Sequence, residues 1–135
     1  MKDPIQIENA RIWTDKGILF YEIRNNEIKR KLKVETLKKY IQVADELCQG
    51  SPMPFLIDLR FTKGAFFIAA AKLLANSPKL KSIRISEAFV VNSIGTRLIV
   101  LSYKRIYNPI TPFVIVDNID AGIAYCTTMK NNEEQ

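Results

Sequence analysis

A chain of 135 residues with 47% apolar and 25% charged side chains has the make-up of one ordinary globular domain, too apolar for a disordered polymer and long enough to bury a core without staples. It contains no histidine, which removes Ser-His-Asp and Cys-His nucleophile pairs, most zinc sites and the usual general base of hydrolysis at neutral pH. A formal charge of +6, from 20 basic and 14 acidic side chains, makes nucleic acid and anionic membrane partners to be weighed.

In chain order, residues 1–9 read as an N-terminal extension. Ala10 to Thr14 and Ile18 to Ile23 are short apolar-polar runs separated by Asp15-Lys16-Gly17, a turn sequence with glycine where positive φ is cheap, and they predict an antiparallel hairpin. Trp13 and Tyr21 on that hairpin read as packing residues of a sheet. Asn25-Asn26 marks a second turn, and Glu27 to Lys31 alternates weakly enough to add a lysine-rich edge strand. From Val34 the period becomes helical, with Leu37, Ile41, Ala44 and Leu47 or Cys48 on one face. Gly50 closes this helix, and Pro52 and Pro54 stop it from resuming. Phe55-Leu56-Ile57-Asp58-Leu59 is a strand with the continuous apolar run of one buried on both faces.

Thr62 to Asn76 reads as a helix with Thr62 as N-cap and Asn76-Ser77-Pro78 as its stop. Ile83 to Val91 is the next strand, Asn92 or Ser93 caps a helix running to about Tyr107, and Asn108-Pro109 ends it. Phe113 to Val116 is a short strand, Asp117-Asn118 a cap, and Ile119 to about Thr127 a last helix, with residues 128–135 a frayed tail. The order predicts an α/β domain over residues 10–127: one mixed sheet of four to six strands, opening with an antiparallel hairpin and continuing by β-α alternation, with about four helices.

Three stretches carry a family likeness: Ile12-Trp13-Thr14-Asp15-Lys16-Gly17-Ile18-Leu19, then Phe55-Leu56-Ile57-Asp58-Leu59-Arg60, and Asn108-Pro109-Ile110-Thr111-Pro112-Phe113. With the order of elements, they resemble the STAS-like fold of bacterial anti-sigma-factor antagonists, from about Ala10 to Cys126. The resemblance implies a bacterial regulatory module that binds protein and catalyses nothing, with its contact surface at the start of the helix after the Ile57-Asp58-Leu59 strand. Members of that type carry a phosphorylatable serine there in an Asp-Ser-Ser-Gly-like motif. This chain reads Leu59-Arg60-Phe61-Thr62-Lys63-Gly64 instead, leaving Thr62 as the one hydroxyl for a phosphate, beside Lys63 and Arg60. A plain N-cap role for Thr62 outweighs the phosphosite.

Gly64 to Ala71 is apolar all round a helix, where a helix lying on a sheet should show a polar outer face. Either other elements cover it, or it forms a contact patch centred on Phe66, Phe67 and Ala70 for a second copy, a regulatory protein or a small apolar ligand. Partner-binding residues are therefore expected at Thr62, Lys63, Phe66, Phe67 and Ala70, with a homodimer the leading arrangement. Lys29, Arg30, Lys31, Lys33, Lys38 and Lys39 form a basic patch, and Lys79, Lys81 and Arg84 a second group. Solvated lysine on an edge and a helix face explains these better than nucleic acid or membrane lipid, because no aromatic residues are interleaved with them.

Asp58 and Asp117 at strand ends read as an ion-pair or turn residue and a cap rather than acid-base groups or magnesium ligands. Glycine-rich phosphate loops are absent, so no cofactor is expected. Cys48 and Cys126 form no CxxC pair and read as small buried hydrophobes. The longest apolar stretch, Gly64 to Ala71, is too short to cross a bilayer, and Met1-Lys2-Asp3-Pro4 leads into no apolar signal core, so the expected location is the cytoplasm.

Overall fold

The computed structural model describes residues 4–25, 33–62 and 72–134. The hairpin forms as its turn chemistry demands. Strands β2 (Ala10–Asp15) and β3 (Ile18–Asn25) pair antiparallel through a two-residue turn, with Asp15 opposite Ile18. Lys16 at φ 52° and Gly17 at φ 76° give the two positive values of a type I′ turn, whose twist matches the flanking strands. Ahead of it, β1 (Ile5–Ile7) pairs antiparallel with β2, so part of the expected N-terminal extension is an edge strand of the sheet. Three residues are too short a run for alternation to announce a strand.

Beyond β3 every strand is added in parallel. β4 (Met53–Thr62), β5 (Arg84–Val90) and β6 (Phe113–Val116) follow one another across the sheet, whose spatial order is β1-β2-β3-β4-β5-β6. Helix α1 (Val34–Cys48) links β3 to β4; residues 72–76, which are helical, and α2 (Pro78–Ile83) precede β5; α3 (Ile94–Tyr107) links β5 to β6; and α4 (Ile119–Glu134) follows β6. Parallel strands laid down one place further each time, with right-handed crossovers, put every connecting helix on the same face. The packing shows this: Leu37, Tyr40 and Ala44 of α1, Leu80 and Ile83 of α2, and Val100 and Tyr103 of α3 share a core with Tyr21, Phe55 and Phe89.

The opposite face takes the alternate residues of the same strands. Phe20, Leu56, Ala88 and Val90 pack with Cys126 of α4, supported by Ile119 and Ile123. α4 approaches closely because Gly122 has no side chain: a Cβ there would lie 3.0 Å from Leu56 Cδ1. Trp13 and Phe20, cross-strand partners on this face, stack with ring centroids 5.1 Å apart. On the first face the Tyr21 hydroxyl donates to the Tyr40 carbonyl at 2.9 Å, tying the hairpin to α1.

The sequence reading departs from the structure at three helix ends. Thr62 is the last residue of β4, not a helix N-cap: Phe61 and Thr62, both strand-favouring, pair with Arg24 and Asn25, and the Thr62 hydroxyl donates to the Leu59 carbonyl at 3.0 Å. Ser77-Pro78, read as a stop, also starts α2. Ser77 Oγ accepts from the Leu80 N–H at 3.3 Å and Pro78 occupies the first turn, where its missing N–H costs nothing. α4 continues past Thr127 to Glu134, for no glycine or proline follows Thr127 to end it. The remaining ends agree: Gln49 and Gly50 close α1 in left-handed conformation, and Ser93 caps α3 by accepting from the Thr96 N–H at 3.1 Å. The weak strand expected at 27–31 lies outside the described residues.

The two cysteines are free and buried on opposite faces of the sheet. Burial, and then the Asp45 carboxylate, pushes the Cys48 thiol up to about 11; burial pushes Cys126 up to about 12. Tyr103 rises to about 12, through burial first and Glu87 second, and burial raises Tyr21 further still. Each group keeps its proton in the fold where the unfolded chain, with thiols at an ordinary 9.0, has begun to lose it. Folding then takes up protons, and stability falls as pH rises. Burial raises Tyr125 as well, so Lys104, lowered by desolvation, works the opposite way against five thiol and phenol groups among the described residues. The melting temperature is expected to fall steadily from about pH 9 to about pH 11 in circular-dichroism melts; a flat or rising curve would contradict this burial.

Candidate functional site

The carboxyl end of β4 holds the first group of candidate residues. Asp58 is 3% exposed. Arg60 grips it with three donors: its own N–H at 3.1 Å and Nε at 2.9 Å to Oδ1, and Nη2 at 2.8 Å to Oδ2. On the neighbouring strand Arg24 Nε donates to Glu22 Oε1 at 2.8 Å, and Arg11 stands 3.8 Å from the same oxygen. The guanidinium carbons of Arg24 and Arg60 lie 4.3 and 5.1 Å from the centroid of the Phe61 ring. The result is a network of paired charges around an aromatic ring, and Asp58 is an ion-pair residue. Thr62, at 9% exposure and bonded to Leu59, presents no free hydroxyl to solvent. Lys63, Phe66, Phe67 and Ala70, the rest of the expected contact surface, lie outside the described residues.

The basic residues divide in the same way. Lys33, Lys38 and Lys39 are exposed around the start of α1, while Lys29, Arg30 and Lys31 lie outside the described residues. Lys79 and Lys81 are exposed on α2, but Arg84, expected to be solvated with them, is only 9% exposed. It opens β5 and turns inward. Asp117 is exposed at the end of β6, and the cap of α4 is its neighbour: Asn118 Oδ1 accepts from the Ala121 N–H at 2.8 Å. Among the described residues no group of three or more His, Cys, Asp or Glu could hold a metal ion.

A buried ionic cluster that the sequence did not reveal lies between β5 and α3. Glu87 and Lys104, with side chains 2% and 3% exposed, meet at 2.7 Å. Asn108 Nδ2 donates to the same Glu87 oxygen at 2.9 Å, and Lys104 Nζ donates also to the Thr111 carbonyl at 2.9 Å. Lys104 lies 5.0 Å from the centroid of the Phe113 ring. The cluster fixes the end of α3 and the Asn108 to Pro112 turn to β5, the strand next to the sheet edge. Lys104 lies in the last turn of α3 and Asn108 directly follows its end, so both reach one carboxylate.

A second feature missed in the sequence is the outer face of α3. Its core side is Thr96, Val100, Tyr103 and Lys104. Its outer side is apolar as well, with Ile94 79%, Leu98 58% and Leu101 43% exposed. Leu98 and Leu101 wall a surface groove with Ser102, Pro109 and Phe113, so the apolar surface passes from the helix to β6 at the sheet edge. Ordinary helices on sheets are polar outside, and contiguous exposed apolar surface on a small domain marks a binding face. The doubled apolar pattern over Ile94 to Leu101 was the available signal. It was masked by the stronger run at Gly64 to Ala71.

Among the described residues, fold and surface define a small α/β protein with helices α1, α2 and α3 on one side of a mixed sheet, α4 on the other, and an exposed apolar face on α3. No helix among the described residues is long and apolar enough to cross a membrane. The chain belongs to the family described as a domain of unknown function, DUF7793, whose model matches residues 12–130. No curated protein and no solved structure matches it.

Proposed function

We propose that the protein is a non-enzymatic interaction module of the STAS-like type, working in the cytoplasm and pairing with a second copy of itself through α3. The observation that carries this reading is the stripe Ile94, Leu98, Leu101, Arg105 on the outer face of that helix. Its spacing of four, three and four residues is the same read from either end. Two copies related by a two-fold axis would lay Leu98 of one against Leu101 of the other at both contacts, as an isologous interface requires. The stem of Arg105 would cover Ile94 while its guanidinium stays in water. The mixed sheet with β-α alternation is compatible with a STAS-like fold. The contact helix is then the one after β5, in place of the Thr62 to Ala70 segment.

A dilution series followed by methyl NMR tests this. The Ile94, Leu98 and Leu101 methyl signals are expected to shift together as the protein is diluted, while those of Leu56, under α4, stay fixed. Shifts confined to other methyl groups, or none at any concentration, would remove α3 as the interface. A carrier of a small apolar ligand is a second reading, favoured by a cavity with mostly aromatic and aliphatic walls. Arg84, which lines that cavity, argues against a wholly apolar cargo.

A further inference from the structure

Between the sheet and the described helices of its first face, α1, residues 72–76, α2 and α3, lies a cavity of about 40 Å³. Tyr21, Tyr40, Phe55, Phe89 and Tyr103 line it together with aliphatic side chains, and Arg84 and Glu87 are its two charged lining residues. Arg84 is 9% exposed, and its Nε has no hydrogen-bond partner. The nearby carboxylate, Glu87, is occupied by Lys104 at 2.7 Å and Asn108 at 2.9 Å through one oxygen. Two buried cations therefore face one buried carboxylate, an excess of one positive charge. A buried charge without a counter-charge is costly, and proteins ordinarily pair it. Arg84 also lines a surface groove with Tyr107, Asn108, Ile110 and Thr111, so the charged end of the cavity lies against the outside.

We infer that this cavity is a binding site for a small aliphatic monocarboxylate, with its carboxylate on the Arg84 guanidinium and its alkyl group among Tyr21, Phe55 and Phe89. A planar guanidinium presents parallel N–H donors that match two carboxylate oxygens, which an apolar molecule or a neutral amide cannot replace. One negative charge balances the excess. Apart from Arg84 and Glu87, whose carboxylate is already taken by Lys104 and Asn108, the walls are aromatic and aliphatic and suit a short hydrocarbon body. The cavity is small, which limits the hydrocarbon body to a short chain, and propionate serves as the probe. Entry from the groove would send the alkyl end in first and leave the carboxylate at Arg84. The site is on the helix-covered face and separate from the outer side of α3, so it stands whether or not the protein pairs through that helix.

The test is a titration of the folded protein with sodium propionate at constant ionic strength, observed through the Arg84 Nε–H signal and the Phe89 and Tyr103 amides. Saturable shifts at these positions are expected, with a melting temperature that rises with propionate over equimolar sodium chloride. Propionamide, of the same shape without the charge, should bind at least tenfold more weakly. Arg84→Met should lose at least tenfold in propionate affinity, while the double variant Leu98→Glu, Leu101→Glu keeps it. Propionate behaving as chloride does, propionamide binding equally, or unchanged affinity in Arg84→Met would each overturn the assignment. If Arg84→Met does not fold, the comparison of propionate with propionamide on the unmodified protein decides it.

Discussion

Replacing Glu87 by leucine is expected to cost the fold about 3–5 kcal/mol in urea denaturation, among the largest losses any single substitution will produce here. The reason is the company Glu87 keeps. Its carboxylate takes Lys104 and Asn108 on one oxygen in a site with almost no contact with water. Leucine would leave the Lys104 ammonium with only the Thr111 carbonyl at 2.9 Å, beside the Arg84 charge that already lowers its proton affinity. Removing both partners is a different experiment. In Glu87→Leu, Lys104→Met the uncompensated ammonium is gone, so the double variant is expected to be clearly more stable than Glu87→Leu alone. A Glu87→Leu loss under about 1 kcal/mol, or strictly additive single effects, would contradict the buried pair.

The double variant Leu98→Glu, Leu101→Glu is expected to leave the fold intact and abolish self-association. Both side chains are about half in solvent, so their removal opens no cavity in the domain. In the pairing proposed, each Leu98 meets Leu101 of the other copy at the centre of the contact, where truncation is commonly worth about 2 kcal/mol or more per residue. Four carboxylates placed there would also repel one another. The dissociation constant is expected to rise at least ~100-fold, which two such losses exceed. Circular dichroism and melting temperature at low concentration should match those of the unmodified protein. A drop in monomer stability with unchanged association would show that the two leucines support the fold and no interface.

How much of this was legible in the residues differs by element. The hairpin turn, α1, β5, α3 and β6 came from signals that act over a few residues: Lys16-Gly17, the helical period after Val34, the Ser93 cap, and the Asn108-Pro109 break. The mixed sheet followed, because alternation of strand and helix leaves few topologies open. Thr62 was misread because a hydroxyl before an apolar helical run resembles a cap, whereas pairing of Phe61 and Thr62 with β3 is a contact some 37 residues away in sequence. Arg84 looked like one more surface cation beside Lys79 and Lys81. Its burial depends on a cavity to which strands β3, β4 and β5 and helices α1, α2 and α3 all contribute, and no local pattern announces that. Glu87 and Lys104 are likewise 17 residues apart in the chain, and charge alone did not distinguish them from solvated neighbours. The exposed apolar face of α3 went unread because apolar runs reveal composition, while exposure is decided only when the layers are packed; the Gly64 to Ala71 run lies outside the described residues.

The most direct measurement is the solution mass by light scattering across a concentration series, for the unmodified protein, Leu98→Glu with Leu101→Glu, and Phe66→Ser with Phe67→Ser. Self-pairing through α3 requires a concentration-dependent dimer for the unmodified chain, a folded monomer for the leucine pair, and a dimer still for the phenylalanine pair if that variant folds. An unmodified protein that stays monomeric at every concentration, or a leucine variant that dimerises as the unmodified chain does, would contradict it.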